Sequence, residues 1–106
     1  MVTLGTGVGG GVIIDGRILR GPDGTAGEIG HVPVEPFGEP CGCGSRGCLE
    51  QYSSASAIVR FVEKFAGGYP KSRLPSQSRL TAKDVYDAGV DGDELALEVF
   101  RQQGFY

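Results

Sequence analysis

Three cysteines and the only histidine of the chain fall within one short stretch, residues 31–48, which points to a metal site. The four residues are His31, Cys41, Cys43 and Cys48. Structural zinc is bound tetrahedrally by thiolates and imidazoles, and one histidine with three cysteines completes such a set. A catalytic zinc ion would keep one position open, whereas this set closes the coordination shell. The spacing therefore predicts a structural Zn²⁺ site.

A disulfide framework is the alternative use of these cysteines. Three cysteines cannot all pair within one chain, and Cys41 and Cys43 are separated by a single residue, which suits a disulfide poorly. The N-terminal residues lack the features of a signal peptide, and no apolar run approaches the roughly 18 residues of a membrane span. We therefore expect a cytoplasmic chain without a membrane partner, in which disulfides would not persist.

Glycines lie between the cysteines and are expected to shape the metal loop. Gly42 and Gly44 should let the backbone fold tightly enough for neighbouring cysteines to face one ion, and Gly47 should permit the return of the chain. The loop from residue 36 to 47 has few apolar residues. We therefore expect the metal to supply much of its folding free energy.

A glycine-rich segment near the N-terminus, residues 5–10 (GTGVGG), satisfies the pattern G-x-G-x-x-G. A dinucleotide-binding fingerprint must open a helix, but here a β-type run follows, and the Lys-Ser/Thr of a P-loop is missing. We expect a strand–turn–strand hairpin with bare backbone N–H groups at its tip and the hydroxyl of Thr6 beside them. Such a tip suits phosphate oxygens, although a glycine-rich turn without a ligand explains the residues equally well.

Two glutamates flank the predicted metal ligands. Glu28 precedes His31 by three residues, and Glu50 follows Cys48 by two. If both ligands bind one ion, both carboxylates are held in the same small region, where they can accept hydrogen bonds from sugar hydroxyls. The alternative is that each is a solvated surface charge.

The N-terminal half must position these groups with short β elements. Val2–Leu4 is predicted to be a strand that enters the glycine-rich segment. Asp15-Gly16 is favoured in two-residue turns, so Val12–Ile14 and Arg17–Leu19 are predicted to form a hairpin. Val32–Val34 is predicted to be another short strand.

The C-terminal half is predicted to be helical. A first helix begins near Cys48 and ends at Gly67-Gly68. One apolar stripe of this helix contains Ile58, Phe61, Val62 and Phe65. Residues 67–80 are polar, contain two prolines, and are predicted to be an exposed connection.

Two further helices follow, each with a capping-box pattern. Thr81 and Asp84 begin a helix that ends near Gly89, and Asp91 and Glu94 begin the last one. Leu95, Val99 and Phe100 share a face of that helix. Because the chain starts in a glycine-rich turn and ends inside a helix, we expect it to be part of a larger protein. The net charge of −3 gives no reason to expect a nucleic-acid partner.

Three motifs together resemble the ROK (repressor, open reading frame, kinase) family of sugar kinases. Residues 27–31 (GEIGH) are similar to the ExGH motif, and residues 41–50 (CGCGSRGCLE) match the motif CxCGxxGCxE at every fixed position. Residues 4–11 (LGTGVGGG) resemble the second phosphate loop of the same proteins. The resemblance covers residues 1–50 and is much less specific over residues 51–106.

The resemblance implies an α/β, actin-like or ribonuclease-H-like kinase fold. Residues 1–106 would belong to its C-terminal domain, with the phosphate loop, hairpin and ExGH motif in 1–35, the zinc loop in 36–50 and helices in 51–106. Glu28, His31 and Glu50 would contact sugar hydroxyls, with His31 also on zinc. Thr6 and Gly7 would lie at the phosphates of ATP, which acts with Mg²⁺.

The activity implied for the parent protein is that of an ATP-dependent hexose kinase, with glucose as the favoured sugar and a homodimer as the assembly. The catalytic aspartate of the family lies upstream of this segment, so the chain itself would hold no catalytic residue and would be inactive alone. The alternatives are part of a sugar-responsive transcriptional repressor of the same family, or a stand-alone zinc-binding module.

Overall fold

The computed structural model describes all residues from 1 to 106 and divides them into two compact units, Met1–Ser54 and Ala55–Tyr106. The first unit contains four short strands and the metal loop, and the second contains three of the four α-helices. The predicted order of strands, loop and helices is confirmed. No helix has both the length and the apolar character that a membrane span requires.

The first unit begins with an antiparallel pair around the glycine-rich segment. Strand β1 is Val2–Leu4 and strand β2 is Val8–Gly10, with Leu4 opposite Val8. The backbone N–H of Gly5 donates to the carbonyl of Gly7 at 2.9 Å and closes the turn. The segment therefore opens a strand rather than a helix, as the sequence predicts.

A second hairpin follows directly. Strand β3 is Ile13–Ile14 and strand β4 is Arg17–Ile18, again antiparallel. The turn residue Asp15 has φ 50°. A positive φ at both central residues is typical of a type I′ turn, and Gly16 meets it with φ 73°. The predicted hairpin is confirmed, although its strands are shorter than expected.

The predicted strand Val32–Val34 is wrong. Only an isolated bridge between Pro33 and Cys48 forms there. Proline has no backbone N–H, so it cannot continue a ladder. A short 3₁₀ helix, Ile29–His31, precedes this bridge and carries the histidine.

The helix predicted to begin near Cys48 is two helices. Helix α1 is Glu50–Ser53 and helix α2 is Ala55–Phe65. They are separated by Ser54, which is extended with φ −95° and ψ 165°. Serine hydrogen-bonds readily to nearby backbone and so favours helix ends over helix interiors. The apolar stripe pattern alone did not reveal this break.

The second unit is built on helices that pack pairwise: α2, α3 (Ala82–Val90) and α4 (Glu94–Gln103). Its buried apolar side chains are Ala57, Ile58, Phe61, Val62, Leu74, Val85, Leu95, Ala96 and Val99. The capping box at α3 is confirmed, since the Thr81 hydroxyl accepts the N–H of Asp84 at 3.2 Å and the Asp84 carboxylate accepts the N–H of Thr81 at 2.8 Å.

The predicted start of the last helix is wrong by two residues. Asp91 ends α3, and the N-cap of α4 is Asp93, whose Oδ1 accepts the N–H of Ala96 at 3.0 Å. Gly92 has φ 88°, a left-handed conformation that turns the chain between the two aspartates.

The connection 67–80 is less simple than predicted. It contains the 3₁₀ helix Leu74–Ser76, and another, Ala66–Gly68, overlaps its start. Leu74 is only 2% exposed and belongs to the core of the second unit. Leu74 lies between Arg73 and Pro75 in a segment without apolar periodicity, so the sequence did not reveal its burial.

A candidate metal centre beside a glycine-rich loop

The first unit brings together the four predicted metal ligands. One atom from each of His31, Cys41, Cys43 and Cys48 lies within 4.8 Å of the other three. His31 Nδ1 is 3.5 Å from Cys41 Sγ, and the sulfurs of Cys43 and Cys48 are 3.7 Å apart. Tetrahedral zinc with ordinary bond lengths separates two sulfurs by about 3.8 Å and nitrogen from sulfur by about 3.5 Å. The donor set and its spacing therefore fit zinc.

Two of the thiols have shifted pKa values of opposite sign. The backbone N–H of Cys43 hydrogen-bonds to Cys41 and lowers the pKa of its thiol to about 6. Burial, followed by the neighbouring Cys41 and Cys43, raises the pKa of Cys48 to about 12. A fully buried thiol ionises readily only beside a positive charge. A bound cation would supply that charge to Cys48.

Backbone hydrogen bonds hold the cysteine loop in shape. The N–H of Cys41 donates to the carbonyl of Ser45 at 2.9 Å, and the N–H of Gly44 donates to the carbonyl of Cys41 at 3.0 Å. At the end of the loop, the N–H of Leu49 donates to the carbonyl of Val32 at 2.9 Å. This last bond joins the segment that follows Cys48 to the residue that follows the histidine.

Of the three glycines expected to shape the metal loop, Gly44 and Gly47 have a backbone conformation that favours glycine. Gly44 has φ 92° and Gly47 has φ 70°, and a Cβ on Gly47 would collide with the carbonyl of Glu35. Gly42 has no such constraint, because its φ is not positive and nothing lies within 4 Å of the position of a Cβ. The expected role of Gly42 in tightening the loop is therefore wrong.

The imidazole of His31 lies between the thiols and a carboxylate. Its Nδ1 faces Cys41, while its Nε2 is 4.0 Å from Oε2 of Glu28. The Glu28 side chain is 63% exposed. The two ring nitrogens thus face different partners, which allows the histidine to hold an ion through one and to meet an external ligand through the other.

Glu50 lies against the glycine-rich loop, which the sequence did not predict. Its Oε2 accepts the backbone N–H of Val8 at 3.0 Å, across 42 residues of chain. A Cβ on Gly7 would collide with the same carboxylate. Glycine at residue 7 indicated that another group could pack closely there, but the sequence did not show that this group is Glu50.

The glycine-rich loop is less open than expected. The N–H of Val8 is taken by Glu50 and that of Gly5 by Gly7, so the expectation of bare N–H groups is wrong for these two. A Cβ on Gly10 would collide with the carbonyl of Gly27. A Cβ on Gly7 meets only the movable end of the Glu50 side chain, so packing requires glycine at one of the three fixed positions of G-x-G-x-x-G, Gly10. The side chain of Thr6 lies exposed at the turn.

The chain is similar to known proteins of one family. A family model described as "ROK family" matches residues 1–106. The glucokinase of Halalkalibacterium halodurans is 44% identical over 111 residues, covering 100% of this chain and 34% of that protein. An N-acetylglucosamine repressor of Escherichia coli is 43% identical over 105 residues, covering 98% of this chain and 25% of that protein. The chain spans about a third of the length of the glucokinase relative.

A solved structure supports the same assignment. A ROK family glucokinase from Streptomyces griseus, in complex with glucose and AMPPNP, is 40% identical to this chain and superimposes with a TM-score of 0.83. The match covers 96% of this chain and 35% of that one. The backbone of this chain is therefore similar to one segment of a sugar kinase.

Proposed function

The chain belongs to the ROK family, and on that basis we propose that it is the zinc-binding and sugar-binding part of an ATP-dependent glucose kinase. Two observations carry the proposal. Glu28 lies beside the imidazole of His31, a residue of the metal cluster. Glu50, two residues after Cys48, reaches the backbone of the glycine-rich loop. In this proposal the fold is actin-like, residues 1–106 belong to the C-terminal domain, and their three parts are 1–35, 36–50 and 51–106.

Sugar hydroxyls would be bound by three side chains. Glu28 is exposed and faces the imidazole of His31. Glu50 uses Oε2 for the backbone of Val8, which leaves Oε1 as an acceptor for a hydroxyl. Nε2 of His31 faces away from the cysteines and is available as a donor or acceptor, according to its tautomer.

The metal would be a structural zinc ion held by His31, Cys41, Cys43 and Cys48. Its contribution would be to fix the positions of these ligands, because the closed set leaves no position for substrate. The phosphates of ATP, with Mg²⁺, would lie at Thr6 and Gly7 at the tip of the β1–β2 turn. Phosphoryl transfer needs groups from several loops at once, so the chain alone would transfer no phosphate.

The substitution Glu28→Gln tests the proposed sugar contact in the full-length protein that contains this chain. We expect MgATP-dependent phosphorylation of glucose, with a KM for glucose raised by about 10- to 100-fold in the variant, because a hydrogen bond to a charged acceptor is weakened. A coupled assay for glucose 6-phosphate measures this.

The matched control is Glu63→Gln, an exposed glutamate in the last turn of α2, which should leave the KM unchanged. Equal KM values for wild type and Glu28→Gln would remove Glu28 from the sugar site. No phosphorylation of glucose by the wild-type protein would contradict the proposed activity itself.

A sugar-responsive repressor is the second candidate, and the repressor relative at 43% identity favours it. Because packing against the backbone of Gly27 requires Gly10, this glycine would persist in a repressor that binds no phosphate. The two candidates differ in the full-length protein. A repressor would bind operator DNA, would be released from it by its sugar, and would phosphorylate no sugar. A stand-alone zinc-binding module, the third alternative, would respond to no sugar.

A further inference from the structure

Val8 is held from both sides by residues adjacent to metal ligands. It is only 6% exposed. Its N–H donates to Glu50, which follows Cys48 by two residues. Its carbonyl packs against Gly30, where a Cβ would collide with it, and Gly30 directly precedes His31. The two ends of one metal site thus contact the two sides of a single residue at the start of β2.

We propose that the metal centre is a clamp for the glycine-rich loop, with Glu50 as the positioning residue that transmits it. A bound ion would fix the distance between His31 and Cys48. Because Gly30 precedes His31 and Glu50 follows Cys48 by two residues, the ion would also hold Gly30 and Glu50 against Val8. The inference rests on the proposed metal site, but not on any sugar or nucleotide binding by the chain.

The tip of the glycine-rich loop is costly to order. Residues 5–7 contain two glycines, which lose much backbone entropy on ordering. The N–H of Gly5 donates to the carbonyl of Gly7 within the turn, and Leu4 pairs with Val8 at its base. Strand β1 is exposed along its whole length, so it adds little burial. The contacts on Val8 therefore add to the β1–β2 pairing that orders the loop.

Two glycines leave the space for the contacts between Glu50, Gly30 and Val8. A Cβ on Gly7 would overlap the Glu50 carboxylate, and one on Gly30 would overlap the Val8 carbonyl. Gly5, by contrast, has nothing within 4 Å of a Cβ. Gly7 and Gly30 are thus the two glycines whose closest contacts are with Glu50 and Val8, the residues of the clamp.

Amide hydrogen exchange at Val8, followed by NMR, tests the proposal. In the zinc-loaded protein we expect a protected Val8 amide. Chelation, or the substitution Glu50→Ala, should lower its protection by about tenfold or more, the effect of losing one hydrogen bond to a charged acceptor. Glu50→Gln keeps an oxygen acceptor but loses its charge, so its loss of protection should be smaller than that of Glu50→Ala. Glu63→Ala is the control for removal of an exposed glutamate.

The amide of Leu19 serves as the internal reference, because it donates to the carbonyl of Val12 at 2.9 Å in the other hairpin. Lost protection at Val8 with unchanged protection at Leu19 supports the clamp. Equal loss at both amides, or an unchanged Val8 amide after zinc has been removed, overturns it. The zinc content of the same samples is measured as well. If the protein binds no zinc, the result refutes the proposed metal site rather than the clamp.

Discussion

Cys48→Ser should abolish stoichiometric zinc binding, with metal affinity falling by more than about 100-fold, the upper end of the loss seen when a residue behind the ligands is removed. The side chain of Cys48 is completely buried, and its sulfur is 3.7 Å from that of Cys43. Serine is close in size, so packing is nearly retained, but its hydroxyl does not ionise and is a poor zinc ligand. The loss should therefore arise from ligation rather than from a cavity.

Competition with a chromophoric chelator measures the affinity. Ser45→Ala is the matched control, because Ser45 is exposed in the same loop and contributes its backbone carbonyl rather than its side chain. That variant should keep wild-type affinity. If Cys48→Ser bound one zinc as tightly as the control, Cys48 would not be a ligand, and the closed site would be wrong.

Gly47→Ala should destabilise the first unit by about 2 kcal/mol or more, because it combines left-handed backbone strain with a steric clash. Gly47 has φ 70°, and a Cβ would overlap the backbone carbonyl of Glu35. The surrounding backbone has little freedom to yield. The carbonyl of Gly47 accepts N–H groups from Val34 at 2.8 Å and Glu35 at 3.2 Å, and its own N–H donates to Glu39 at 2.8 Å.

Urea unfolding of the zinc-loaded protein measures this change, with Gly42→Ala as the control. A Cβ on Gly42 meets nothing within 4 Å, so that variant should stay within about 0.5 kcal/mol of wild type. The order of the two variants is the informative result. Equal stabilities would mean that the loop does not adopt this conformation at Gly47.

The metal cluster was predictable because its ligands are rare and close in sequence. The chain has one histidine and three cysteines, and all lie in residues 31–48. Thiolate and imidazole at that density leave few uses other than zinc. The distances among the four ligand atoms agree with this prediction. Neither the pattern nor the distances identify the ion, which stays a prediction.

The contact between Glu50 and Val8 was not predictable in the same way. It joins residues 42 positions apart, and a hydrogen bond to backbone leaves no requirement on the side chain of Val8. The G-x-G-x-x-G pattern was interpreted through phosphate binding alone. In the structure, Gly10 is also required by its close contact with the backbone of Gly27, and Gly7 leaves room for the Glu50 carboxylate, so the pattern is a weaker marker of a phosphate site than it first suggests.

Secondary structure was predicted correctly where it depends on residues close together in the sequence. Asp15-Gly16 and the Thr81–Asp84 capping box depend on residues at most three positions apart, and both are confirmed. The errors came where other factors decide. Leu74 is buried by the helices around it, and Ser54 separates α1 from α2 at a point that precedes the apolar stripe.

The most direct test of the metal centre is the zinc content of the purified protein, combined with thiol titration before and after chelation. The account predicts one zinc ion per chain and three thiols, Cys41, Cys43 and Cys48, that react only after the metal is removed. No zinc, together with three thiols that react freely in the untreated protein, would contradict it.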